Sequence, residues 1–278
     1  MRGEVIRITS QIESNSSDTN GAGFAIPSNT VRSVASRLVA SASPKSSRPV
    51  RARQLLAPVR IPGMRRLAEG LWEFEHAGPA SSAYLLEADE LVLVDTGVPR
   101  AGPKLLAELH AQDFDPKTIL ITHGDPDHVG SCDFLRRELG AEVWAPEPDR
   151  QVVEWTIGRR RGPPPRLAQA LVGPPRPVAV DHWFAPGETI AGVESIATPG
   201  HTPGHTSFKL GTTLVAGDAL VTGPRFKEPL RVTTMDRREA RRSIERLAQL
   251  ELDLAVSGHG KPAHGAQARL ASLVASWR

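Results

Sequence analysis

The stretch Thr122-His123-Gly124-Asp125-Pro126-Asp127-His128-Val129-Gly130 constrains the fold more than any other part of the chain. Just before it, Lys117-Thr118-Ile119-Leu120-Ile121 is a largely apolar, β-branched run of strand length, and the turn-forming pair Asp115-Pro116 precedes that. A strand therefore starts after Pro116 and empties into the loop. His123, Asp125, Asp127 and His128, four side chains able to bind metal, fall within six positions and are split by a Gly and a Pro. That composition suits a loop gathering its side chains at a strand's end. Imidazole and carboxylate together favour Zn, Fe or Mn over Ca or Mg. In the competing reading the Asp residues cap the next helix and the His residues are incidental. Against it stand three further segments: Thr198-Pro199-Gly200-His201-Thr202-Pro203-Gly204-His205, Val215-Ala216-Gly217-Asp218 and Ser257-Gly258-His259-Gly260. Each marks a place where an apolar run gives way to Gly, as at a strand end.

These residues resemble the metallo-β-lactamase-fold hydrolases, whose signature is Thr-His-x-His-x-Asp-His, then a Gly-His-Thr segment, a Gly-Asp after a strand and a late Gly-His-Gly. All four occur in order, and the similarity runs from about Leu71 to the C-terminus, with Asp125 standing where the second His is usual. The resemblance implies an α/β fold, a four-layer αββα sandwich, and two divalent metal ions, Zn2+ first, with Mn2+ or Fe2+ compatible with the same donors. By resemblance, one ion is held by His123, Asp125 and His201 and the other by Asp127, His128 and His259. Asp218 bridges them, and Asp95 in Asp95-Thr96-Gly97 braces the loop. His205 is read as packing beside the site rather than as a ligand. The implied activity is hydrolysis of an ester, thioester or lactone by a metal-bound hydroxide, with Asp127 orienting the nucleophile and passing on its proton. Lactonases of this fold place a tyrosine soon after the bridging Asp, whereas Ala219-Leu220-Val221 follow here and Tyr84 is the single tyrosine. Two alternatives remain open: an iron-dependent redox enzyme, because relatives of that kind carry a carboxylate at the Asp125 position, and a non-catalytic binding protein with a degraded site.

Charge divides the chain. Residues 1–63 carry nine Lys/Arg against three acids, and since the net charge is +3 overall, residues 64–278 are net −3. The pI of about 9.3 therefore belongs to the tail. It is poor support for nucleic-acid binding by the rest, and the expected partner is a small-molecule substrate. The tail is rich in Ser, Arg and Ala without apolar periodicity, so disorder is expected for 1–63 and a catalytic domain for 64–278. Residues 31–53 have a transit-peptide composition, and a start at Met64 is an equal reading. Cys132 is the single cysteine, and no run approaches membrane-spanning length; a cytoplasmic protein without membrane attachment is the default.

Strands are expected at 71–75, 83–87, 91–95, 142–145, 195–197 and 254–256, with a hairpin over 207–216. Helices are expected at 103–111, 129–139, 151–159 and 266–277, and another follows the capping-box pattern Asp236-x-x-Glu239. The cluster Arg159, Arg160, Arg161 is either a contact for an anionic substrate or a solvated charge run.

Overall fold

Runs such as Leu91–Val94 and Thr118–Leu120 are buried along nearly their whole length rather than at alternate residues, which requires sheets covered on both faces. The structure is a computed structural model that describes residues 63–74, 81–154 and 177–277. These belong to one compact unit, Pro58–Arg278. Apart from Gly63, the tail lies outside the described residues, as do Arg159, Arg160 and Arg161.

In chain order the elements are β1 (Met64–Ala68), β2 (Leu71–Phe74), β3 (Ala83–Glu87), β4 (Leu91–Val94), α1 (Gly102–His110), β5 (Thr118–Leu120), α2 (Pro126–Val129), α3 (Cys132–Leu139), β6 (Glu142–Pro146) and α4 (Arg150–Val153). Then come β7 (His182–Phe184), β8 (Thr189–Ile190), β9 (Val193–Ala197), β10 (Thr206–Leu210), β11 (Thr213–Val215), α5 (Arg237–Leu247), β12 (Leu254–Val256), β13 (Ala263–His264) and α6 (Ala266–Ala275). Strands β1 to β7 form one sheet in sequence order, antiparallel as far as β4 and parallel from β4 to β7. The second sheet has the order β13-β12-β11-β10-β9-β8 and is antiparallel except between β11 and β12. It follows that β4, β5 and β6 end on one edge of the first sheet, and β9, β11 and β12 on one edge of the second.

Three apolar layers hold the sheets and helices together. Leu105 and Leu109 of α1 and Leu135 and Leu139 of α3 pack on the outer face of the first sheet, against Leu85, Leu93 and Ile119. Leu86, Val92 and Leu120 face Phe208, Val215 and Val256 between the sheets. Ile244 and Leu247 of α5 and Leu270 of α6 cover Leu214 and Ala255 on the far side. The layering is therefore αββα. Each of these large apolar side chains contributes about 1.5–3 kcal/mol by leaving water.

Local details differ from the sequence expectations. The helix expected over 129–139 is two helices, broken where Gly130 N–H donates to Gly97 O (2.9 Å) and Ser131 Oγ to Val98 O (2.6 Å). Strand β1 begins before the expected change of texture at Leu71, because Met64 and Arg65 pair with Phe74 and Glu73. Asp236 does cap α5, accepting from the N–H groups of Arg238 (2.9 Å) and Glu239 (3.0 Å), but the reciprocal half is absent: Asp236 N–H donates to Gly200 O instead. Of the helix expected at 151–159, the described part is α4.

Candidate metal centre

The shared edge of the two sheets gathers the loops singled out in the sequence. His123, Asp125, Asp127 and His128 follow β5, His201 follows β9, Asp218 follows β11 and His259 follows β12. Asp95 follows β4. Pro126 sits in the first turn of α2, where a missing N–H costs nothing, and it holds Asp125 extended at φ −73°, ψ 142°. Asp125 occupies the N-cap position yet makes no capping hydrogen bond. Its carboxylate turns inward, with Oδ2 3.1 Å from His201 Nε2 and 3.4 Å from His123 Nε2. The helix-capping reading of this residue is thereby set aside.

All seven predicted residues come together. Asp218 lies at the middle: Oδ1 is 3.3 Å from His128 Nε2, and Oδ2 is 3.1 Å from His259 Nε2 and 3.5 Å from His201 Nε2. Asp127 Oδ2 is 3.4 Å from His259 Nε2 and 4.0 Å from His128 Nε2. The donors fall into the trios His123–Asp125–His201 and Asp127–His128–His259, while Asp218 joins His123 and His128 in a third. Four N or O donors about 2.0–2.2 Å from a tetrahedral ion stand roughly 3.3–3.6 Å apart, close to the 3.1 and 3.4 Å that separate Asp125 from His201 and His123, while the second trio is wider, with Asp127 3.4 Å from His259 and 4.0 Å from His128. His123 Nε2, His128 Nε2 and Asp218 Oδ1 are buried and make no hydrogen bond among the described residues. Orphaned buried nitrogen and oxygen on this scale is costly unless something else engages them. A divalent ion in each trio fits these donors.

The rings are aimed by a network of partners. Thr122 Oγ1 donates to Asp95 Oδ2 (2.7 Å), so at 2.9 Å it accepts from His123 Nδ1 and leaves the lone pair on Nε2 facing the centre. His128 Nδ1 likewise donates to Asp95 Oδ2 at 2.7 Å, and Asp95 Oδ1 accepts the Thr122 N–H at 2.9 Å. Asp95 itself sits in the left-handed region, φ 58°, a conformation held by its N–H bond to Leu120 O. Burial disfavours an imidazolium at His128, but Asp218 and Asp95 outweigh it and raise the His128 pKa well above the ordinary value. Burial would raise Asp218, and His128, His259 and His201 instead hold it well below the usual carboxylate range.

His205 stands apart. Its Nε2 accepts the Asp218 N–H at 2.8 Å while Nδ1 contacts Thr198 Oγ1 at 2.8 Å, so both nitrogens are engaged. Burial, together with His123 and His201, pushes its pKa well below normal and keeps it neutral. It positions Asp218 through the backbone.

Three groups escaped sequence reasoning. Asp149, fully buried after β6, accepts the N–H groups of Gly124 (3.0 Å) and Gly204 (2.9 Å). Ser81 Oγ donates to Asp127 O (2.5 Å), and Tyr84 OH donates to Ser257 O (2.8 Å). Asp149 had a detectable signal, since Val143-Trp144-Ala145 is one more apolar run, and it gives way to the breakers and acids Pro146-Glu147-Pro148-Asp149.

A two-sheet αββα sandwich whose one edge gathers histidines and aspartates from both sheets defines a metallo-hydrolase scaffold. The family model described as "Metallo-beta-lactamase superfamily" matches residues 77–259, and the chain belongs to that superfamily. The probable metallo-hydrolase YflN of Bacillus subtilis (strain 168) is 29% identical over 210 residues, covering 64% of this chain and 78% of YflN. The hydroxyacylglutathione hydrolase GloC of Haemophilus influenzae is 34% identical over 130 residues, 43% of this chain and 57% of GloC. Among solved structures, TTHA1623 in a di-iron-bound form superposes with a TM-score of 0.57 at 28% identity, covering 68% of this chain and 93% of that one.

Proposed function

We propose that the protein is a dinuclear metal-dependent hydrolase of small-molecule esters, thioesters or lactones, with a thioester the first substrate class to test. The observation that carries this reading is the pair of donor trios joined through Asp218 at spacings of 3.1–3.5 Å. His123, Asp125 and His201 would hold one ion and Asp127, His128 and His259 the other, with Asp218 between them. Divalent ions held there supply a water acidic enough to act as a nucleophile near neutral pH and polarise the substrate carbonyl. The chain's own groups do the rest. Asp127, with a side chain 16% exposed, faces the open side, where it orients the attacking water and carries its proton towards the leaving group. Cys132 is fully buried, and burial pushes its thiol far above the ordinary value, so it is not the nucleophile. Hydroxyacylglutathione, a thioester by the GloC name, makes acyl-glutathiones a natural probe.

Metal analysis of the purified protein combined with a panel of thioesters, esters and lactones tests the reading. About two ions per chain are expected, with hydrolysis abolished by chelation and restored by adding metal back. Protein that takes up no metal, or that hydrolyses equally well after chelation, would sink it.

A second reading, redox chemistry at iron, draws on the carboxylate at Asp125 and on the similarity to a structure solved with two irons. Native iron together with reductant-dependent oxygen consumption would favour it over hydrolysis.

A further inference from the structure

The two loops that meet at the first trio belong to different sheets, and a short segment after β6 lies against both. Asp149 spans them, with Oδ2 accepting the Gly124 N–H at 3.0 Å and Oδ1 accepting the Gly204 N–H at 2.9 Å. Each glycine is also pressed against this segment. A Cβ on Gly124 would stand 2.7 Å from Val153 N, and one on Gly204 would stand 2.2 Å from Asp149 N. Gly124 lies between His123 and Asp125, and Gly204 three residues after His201. Asp149 is fully buried, so these bonds form away from competing water, where a carboxylate accepting two N–H groups is well held. The second trio is braced otherwise. His128 leans on Asp95, Asp127 O accepts from Ser81, and Gly258 beside His259 is tied to Ser82 N–H.

We propose that Asp149 is a positioning residue: its carboxylate fixes the separation between the His123–Asp125 loop and the His201 loop, and so sets the metal affinity of that trio and not of the other. The inference rests on the metal-centre reading above. An asparagine has the same shape but offers one oxygen and an NH2, so it can accept from one glycine and must face the other N–H with a donor.

The test titrates metal-free protein with Zn2+ against a chelating competitor, for wild type and Asp149→Asn, with thermal melting as a check on folding. Wild type is expected to show two binding steps. In Asp149→Asn one step weakens by about tenfold or more, the scale on which partners of ligands act, and the other stays within about twofold. In a His201→Ala background, which already breaks the first trio, adding Asp149→Asn is expected to shift the remaining step by no more than about twofold. Should Asp149→Asn fail to fold, Gly124→Ala disturbs the same contact from the loop side without removing a charge, and the same selective loss is expected. Equal weakening of both steps, or no weakening of either, overturns the inference while leaving the metal centre standing. Wild type that takes up no ion overturns the metal-centre reading and this inference with it.

Discussion

The two halves of the centre are built from the same residue types but differ in access. In the first, the side chains of His123, Asp125 and His201 are 0%, 8% and 1% exposed. In the second, His128 is buried, whereas His259 is 33% and Asp127 16% exposed. An enclosed trio is set by packing, and what it holds is decided by charge and loop spacing. On the proposed reading, the open trio is where water and substrate would arrive. Changes to the enclosed half should therefore act first on retention and choice of metal, and changes to the open half on turnover.

The largest expected effect erases this distinction. Asp218 faces donors of both trios, so Asp218→Ala should lower turnover by roughly a thousandfold, equivalent to about 4 kcal/mol, and cost one ion while the protein stays folded. Steady-state kinetics with metal analysis measure it, and full metal content in the variant would contradict a shared carboxylate.

Asp95→Asn comes next. Removing one acceptor from His128 should weaken the second ion by about 10- to 100-fold. Because Asp95 also holds Thr122 beside His123, loss of the first ion instead would show that the halves are less independent than their exposure suggests.

Asp125→His acts within the enclosed half and should leave the ion count at two. Three carboxylates near two divalent ions favour harder metals than imidazole does, so competition between Zn2+ and Mn2+ should move several-fold towards zinc. Unchanged selectivity would mean that Asp125 does not contact metal.

The smallest effect lies outside both halves. Burial would raise the Glu228 carboxyl, but Arg241 (2.7 Å) and Arg237 (2.9 Å) hold it at about 2. Since the folded pKa lies below the unfolded one, this contribution is complete above about pH 4.5 and fades as the pH falls towards 2. Glu228→Gln should cost about 1–2 kcal/mol at neutral pH after allowance for solvent screening, visible as a lower melting temperature, and the gap from wild type should close in acid. A gap that persists at the lowest pH would mean packing rather than charge is responsible.

Much of the centre was legible in the sequence because its candidate residues are local: four lie within six positions after β5, and each of the other three follows a strand that ends near a glycine. What supports them was not. Asp149 acts through backbone N–H groups 25 and 55 residues away. The break in the helix after Val129 is imposed by the loop at Gly97 and Val98, which periodicity cannot detect. Strand β1 is chosen by its pairing with β2, since Met64-Arg65-Arg66 carries little strand pattern of its own.

Each trio takes two residues from the loop after β5 in the first sheet and one from a loop of the second sheet. On the proposed reading, each ion would act as a rivet through the sandwich, joining layers that otherwise meet through apolar contact and a few hydrogen bonds such as Tyr84 OH to Ser257 O. Metal uptake then becomes a report on assembly, because neither sheet alone can complete a trio. Stripping the metal should let the two sheets part first along this edge, detectable as faster hydrogen exchange at the ends of β5, β9 and β12 than at their starts.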